Sequence, residues 1–109
     1  MRGIYSARWN VLLSKLPKKL NICGRVVKLR VTDMILNSSL YGEASYNPPS
    51  ISLDPNIPKD MVFEVTLHEI LHQIDEAHGG RFELNDDESK TKALAIALAP
   101  VIEQLRGYL

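Results

Sequence analysis

The sequence predicts an α+β fold with its elements in the order α-β-β-β-α-α, and three observations carry that expectation. "GRVVKLRVTD" (24–33) alternates apolar and polar residues with period two, as a half-buried strand does. Three longer stretches repeat their apolar residues at three- and four-residue spacing, the mark of helices with one buried face. Proline and glycine punctuate the chain between most of these stretches. At 109 residues, a single domain spanning 1–109 with one core is expected.

Each element has its own reason. Residues 4 to 16 place Tyr5, Trp9, Leu12, Leu13 and Leu16 on one helical face, and Pro17 stops that helix. The alternating run supplies the first strand. "LYGEASYNPPSISLDP" reads as two short strands, about 40 to 46 and 50 to 54, separated by Asn47-Pro48-Pro49. The prolines make at least one of the two an edge strand, giving a small three-stranded sheet. Pro58 opens the second helix, which should run over 59–78 and stop near Gly79-Gly80. Asn85 or Asp86 is expected to cap the last helix. That helix should turn Leu94, Leu98, Val101, Ile102 and Leu105 inward, with a kink at Pro100.

The formal net charge is zero but unevenly spread. The first 32 residues hold eight basic groups and no acidic one, leaving minus eight on the remainder. Such charges fit the solvated faces of a first helix and strand. A nucleic-acid partner is the less favoured reading, since no aromatic-basic interleaving accompanies them. No stretch approaches the roughly 18 to 20 apolar residues that span a bilayer, so no membrane is expected. With no leader pattern at the N-terminus and a lone Cys23, the expected location is cytoplasmic. Cys23 beside Gly24 reads as a small hydrophobe near a strand start rather than a metal ligand.

The chemistry gathers in "HEILHQIDEAHGG" (68–80), which holds all three histidines of the chain. Phe63, Leu67, Ile70, Ile74 and Ala77 form an apolar stripe on this helix, and Val62, Val65 and Leu71 cover more of it. The helix should therefore be central and mostly buried. His68 and His72, four residues apart, project from one face about a turn apart and can converge on one ion. Glu69 stands roughly 100° round the helix, placed to reach a water at an open metal position. This is the HExxH pattern, with the glutamate as general base and Zn2+ as the metal. Two imidazoles left uncoordinated on a buried helix would each need another partner, which counts against a purely structural role.

"TLHEILH" after a short strand pair, with a helix before and after, resembles a minimal zincin metallopeptidase. Small phage and prophage zincins, minigluzincins, and SprT-like and WLM-type proteases share this plan. The resemblance spans residues 25 to 80, with His68, Glu69 and His72 as its specific part. It implies a substrate-binding edge strand at 40 to 46 or 50 to 54, and the cytoplasm of a bacterial, archaeal or phage-infected cell. It also frames the third ligand. His78, six residues past His72, gives the HExxHxxxxxH spacing of metzincins, and "HGGRF" resembles the HGxxF of SprT-like proteases. Asp75 stands where metzincins carry a glycine, and no methionine follows His78. The alternative is Glu88, in the first turn of the following helix, as in gluzincins. Asp86 and Asp87 are better suited to capping. His78 is preferred, and its use requires the helix to break near 75–77. Asp75 and Glu76 could then accept a hydrogen bond from a ligand histidine.

The function these residues point to is hydrolysis of a protein or peptide substrate. Three protein ligands would leave one metal position open, and Glu69 would act as base. Tyr41, Tyr46, Arg81 and Tyr108 are candidates to stabilise the oxyanion. Two other readings stand beside this one. One is a zinc-binding regulatory or interaction module, or a latent zymogen, that cleaves nothing. The other, ranked lower, is a nucleic-acid-linked protease of SprT-like type.

Overall fold

Two residues at the first turn set the start of the sheet. Cys23 (φ 54°) and Gly24 (φ 83°) both adopt the left-handed conformation that a tight two-residue hairpin needs. The Asn21 side chain accepts a hydrogen bond from the Gly24 N–H at 2.9 Å and closes the turn. The hairpin joins β1 (Lys19–Ile22) to β2 (Arg25–Val31) in antiparallel register, Ile22 opposite Arg25. In the computed structural model, residues 15–32 and 41–107 are described. The helix expected over 4–16 lies outside them, apart from Lys15 and Leu16.

Beyond the hairpin come β3 (Gly42–Tyr46), β4 (Pro49–Leu53), a 3-10 turn (Lys59–Met61), α1 (Val62–Ala77) and α2 (Glu88–Arg106). The sheet order is β1-β2-β4-β3, with β2 and β4 parallel and the other two pairings antiparallel. The α+β class is as expected, but the sheet has four strands rather than three. Lys19–Ile22 is too short to show a period and gains its strand character from the hairpin pairing. The same hairpin corrects the reading of Cys23, which is exposed at the turn instead of packed as a small hydrophobe.

α1 lies between the sheet and α2. Ile22, Val27, Ile51, Leu53 and Ile57 from the sheet side meet Val62, with Val65, Ile70 and Ile74 packed against the same cluster. On the opposite side Leu71 packs with Leu84 and Ala95. Gln73, 2% exposed, donates from its Nε2 to the backbone carbonyls of Ser45 (2.8 Å) and Ser50 (2.9 Å). That amide ties the end of β3 to the helix, and the Arg25 side chain adds a bond to the Tyr46 carbonyl. β3 is thereby fixed along α1, with its outer edge unpaired by any described strand.

α2 reverses the expected orientation. Its buried residues are Thr91, Ala95 and Ala99, four apart. Leu94, Leu98, Val101, Ile102 and Leu105 are 37–56% exposed. Small side chains make the buried face, with Ala95 packed against Leu71 and Leu84, and the larger residues fall on the exposed flanks. Pro100 sits inside the helix, which continues past it to Arg106. No helix among the described residues is long and apolar enough to cross a membrane.

Candidate metal centre

The end of α1 decides which residues can share a metal. Gly79 (φ 67°) follows the cap residue His78 in the left-handed conformation. The Gly80 N–H bonds to the Asp75 carbonyl at 2.8 Å and the Gly79 N–H to the Glu76 carbonyl at 3.1 Å. This pair is a Schellman termination, and it depends on glycine at that position. The helix therefore stays intact through 75–77 and unwinds only after His78. On an intact helix, His78 lies about 120° round the axis from His72 and roughly 9 Å along it.

His78 accordingly stands apart from the other two histidines. It is exposed, with its Nδ1 2.9 Å from the Ile74 carbonyl and 3.9 Å from Cys23 Sγ, and its ring edges onto Phe82. The structure brings Glu88, and not the preferred His78, beside His68 and His72. Glu88 joins His68 and His72, and these three residues offer ligand atoms within 4.8 Å of one another. His68 Nε2 lies 3.2 Å from Glu88 Oε2 and 3.2 Å from His72 Nε2, while His72 Nε2 lies 2.6 Å from Glu88 Oε1.

Glu88 arrives there because the inter-helix loop is wired from within. The Asp75 carboxylate, 0% exposed, accepts three backbone N–H bonds: from Phe82 at 2.8 Å and from Leu84 and Asn85 at 2.9 Å each. Burial pushes this carboxyl up, but the three donors and nearby His72 outweigh it and hold it below the ordinary carboxylate value. Asp87, rather than Asn85 or Asp86, caps α2 by accepting the Lys90 N–H at 2.9 Å. Thr91 Oγ1 donates to the Leu84 carbonyl at 2.8 Å, pinning the cap to the loop. Glu88 is then the first helical residue, and its carboxylate reaches His68 and His72.

Asn85 takes the supporting role that the sequence offered to Asp75 and Glu76. Its Oδ1 lies 2.7 Å from His72 Nδ1, and its Nδ2 donates to Glu76 Oε1 at 3.4 Å. The amide is thus oriented so that its oxygen accepts from His72 Nδ1–H, which leaves the Nε2 lone pair facing His68 and Glu88. At His68, burial lowers the pKa, partly offset by Glu88, and favours the neutral ring. Three acceptor atoms then converge, and either a proton or a metal cation must lie between them. Two of the three spacings, 3.2 Å each, come near those between zinc ligands, whereas the 2.6 Å His72–Glu88 separation is that of a hydrogen bond. Tetrahedral zinc with bonds of about 2.0 to 2.2 Å sets its ligands about 3.3 to 3.5 Å apart.

Glu69 stands beside this group in a cleft of about 510 Å³ whose lining includes Gly42, Ala44 and Tyr46 of β3, His68, His72, Asn85 and Glu88. It is 7% exposed, and among the described residues no donor reaches its carboxylate. Burial raises its pKa to about 7, with Glu88 and Glu43 adding to the rise and His72 opposing it. Of the proposed oxyanion donors, Tyr41 and Tyr46 line the cleft and Arg81 does not. Tyr108 lies outside the described residues. Burial, followed by the charges of Glu76, Glu69, Glu88 and Asp75, pushes the Tyr46 hydroxyl up to about 12, so it remains a proton donor. Against models of known families, curated proteins and solved structures, the chain gives no match. Asn85, Gln73 and Gly42 were not singled out by motif, because each acts through a position that only the folded loop or strand creates.

Proposed function

We propose that this protein is a zinc-dependent peptidase of the zincin type, with His68, His72 and Glu88 as metal ligands and Glu69 as general base. The observation that carries this reading is the convergence of three acceptor atoms beside a buried carboxylate that no donor reaches among the described residues, all opening on one cleft. Zinc at such a group supplies Lewis acidity, which acidifies water and polarises a carbonyl. In the metal-free protein burial raises the Glu69 pKa to about 7, which marks a poorly solvated carboxylate able to take a proton from water and return it to a departing amine. The edge of β3 that no described strand pairs runs along the same cleft and would offer its backbone groups to an extended peptide. Tyr46, which lines the cleft and keeps its hydroxyl proton, is a candidate donor for the oxyanion. Substrate, on this reading, is a polypeptide in extended form.

The test uses zinc-loaded protein and a mixed peptide library read by mass spectrometry. Wild type should cleave, and Glu69→Gln should keep its zinc while losing activity by a factor of about 10³ or more. Zinc-loaded wild type that leaves every peptide intact would turn the reading into a metal-binding module. Failure to take up zinc would remove both.

A further inference from the structure

The close approach of β3 to α1 is made at one residue. A β-carbon built on Gly42 would lie 3.0 Å from Glu69 Cγ, 3.0 Å from Val65 Cγ1 and 3.1 Å from Glu69 Oε2. Gly42 does not have a positive φ, so no left-handed turn explains the glycine. Its use is the space it leaves. Val65 and Glu69 are four apart on α1, and the Gly42 α-carbon seats directly over the turn they form. Val65 is partly buried, packed against the main core cluster on one side and lining the cleft on the other. Glu69, 7% exposed, fills the gap that a side chain at position 42 would occupy. The strand is held at that depth at its other end by the Gln73 bond to the Ser45 carbonyl.

We propose that Gly42 is a positioning residue for Glu69: its missing β-carbon sets how far the carboxylate stands from the metal group and from a peptide lying along β3. The inference rests on the peptidase reading and assigns a role that the ligand motif does not contain. Any larger residue at 42 pushes Glu69 by a few tenths of an ångström while leaving His68, His72 and Glu88 untouched. Displacements of about 1 Å at a reacting group can cost 10²-fold in rate, so a shift of this size should cost about tenfold.

The experiment compares wild type, Gly42→Ala, Val65→Ala and the Gly42→Ala/Val65→Ala pair. Gly42→Ala should lower kcat by about tenfold, with KM and zinc affinity each within about threefold of wild type. Adding Val65→Ala opens the other side of the gap, and most of the lost kcat should return. A folded Gly42→Ala protein with wild-type kcat overturns the proposal, as does a loss explained by weakened zinc binding. A second measurement is independent of turnover. In zinc-free protein, Gly42→Ala should lower the melting temperature by about 4 to 8 °C, and by much less in a Glu69→Ala background. Equal shifts in both backgrounds would sink the contact itself. If zinc-loaded wild type cleaves nothing, the peptidase reading falls, and this melting cycle alone decides whether Gly42 fixes Glu69.

Discussion

Asn85 shows how a residue with no motif of its own can govern a site. Its side-chain oxygen fixes the His72 tautomer, and its amide nitrogen is turned away by Glu76. Without it, the imidazole can rotate or present N–H where a lone pair is needed. Asn85→Ala should weaken zinc binding by about 10- to 100-fold, the usual cost of losing such a partner, as measured by competition with a chelator. Asn85→Asp, which keeps an acceptor at that point, should lose less. A wild-type affinity in Asn85→Ala would show that the His72 orientation is held by something else. In the sequence, Asn85 was visible only as a helix cap, because the pairing with His72 spans 13 residues and needs the loop closed.

At the scale of elements, the contest between His78 and Glu88 is a question of where one helix ends. His78→Ala should leave zinc affinity within about twofold of wild type, whereas Glu88→Ala should lower it by roughly 100-fold, close to 3 kcal/mol. Chelator titration of the two variants reads the difference, and a reversed order would require α1 to break before Ala77. The glycine stop signal was legible, since Gly79-Gly80 marked the end of α1 correctly. Spacing alone then favoured His78, because HExxHxxxxxH matches a known pattern only when the helix breaks early. Asp75 stands where that early break would place a glycine. Buried, it instead accepts three loop N–H bonds, so the chain turns after the helix and not within it. α2 misled for a related reason. Its large apolar residues predict the inner face, while the face it buries carries Thr91, Ala95 and Ala99, with Ala95 packed against Leu71 of α1.

For the molecule as a whole, strand periodicity revealed β2, and the prolines marked the turn beside an edge strand. The parallel pairing of β2 with β4 could not be read, because register and neighbour order are properties of the assembled sheet. The same whole-molecule scale governs the acid response. Asp75 is held below its ordinary pKa of 3.8 in the fold, so the unfolded chain binds its proton first as pH falls. Its contribution is therefore fully present above 3.8 and is lost as pH falls through the lower folded value. Thermal melts of zinc-free protein should show Asp75→Asn less stable than wild type at pH 7, with the gap narrowing towards pH 3. A gap of constant size across that range would mean that the charge on Asp75 does not matter to the loop.

The proposed ligands, their supporting amide and the carboxylate that orders the loop all lie between His68 and Glu88, inside one helix–loop–helix. Gly42 and the edge of β3 that no described strand pairs belong to another part of the chain. On the proposed reading, capture of a metal would be a local inheritance, a piece that a descendant or a designer could copy whole. Turnover would not be inherited with it. A lineage that kept the helix–loop–helix and lost the strand would retain a metal-holding protein and drop the reaction, and two such proteins could share every ligand while differing in whether they act on anything at all.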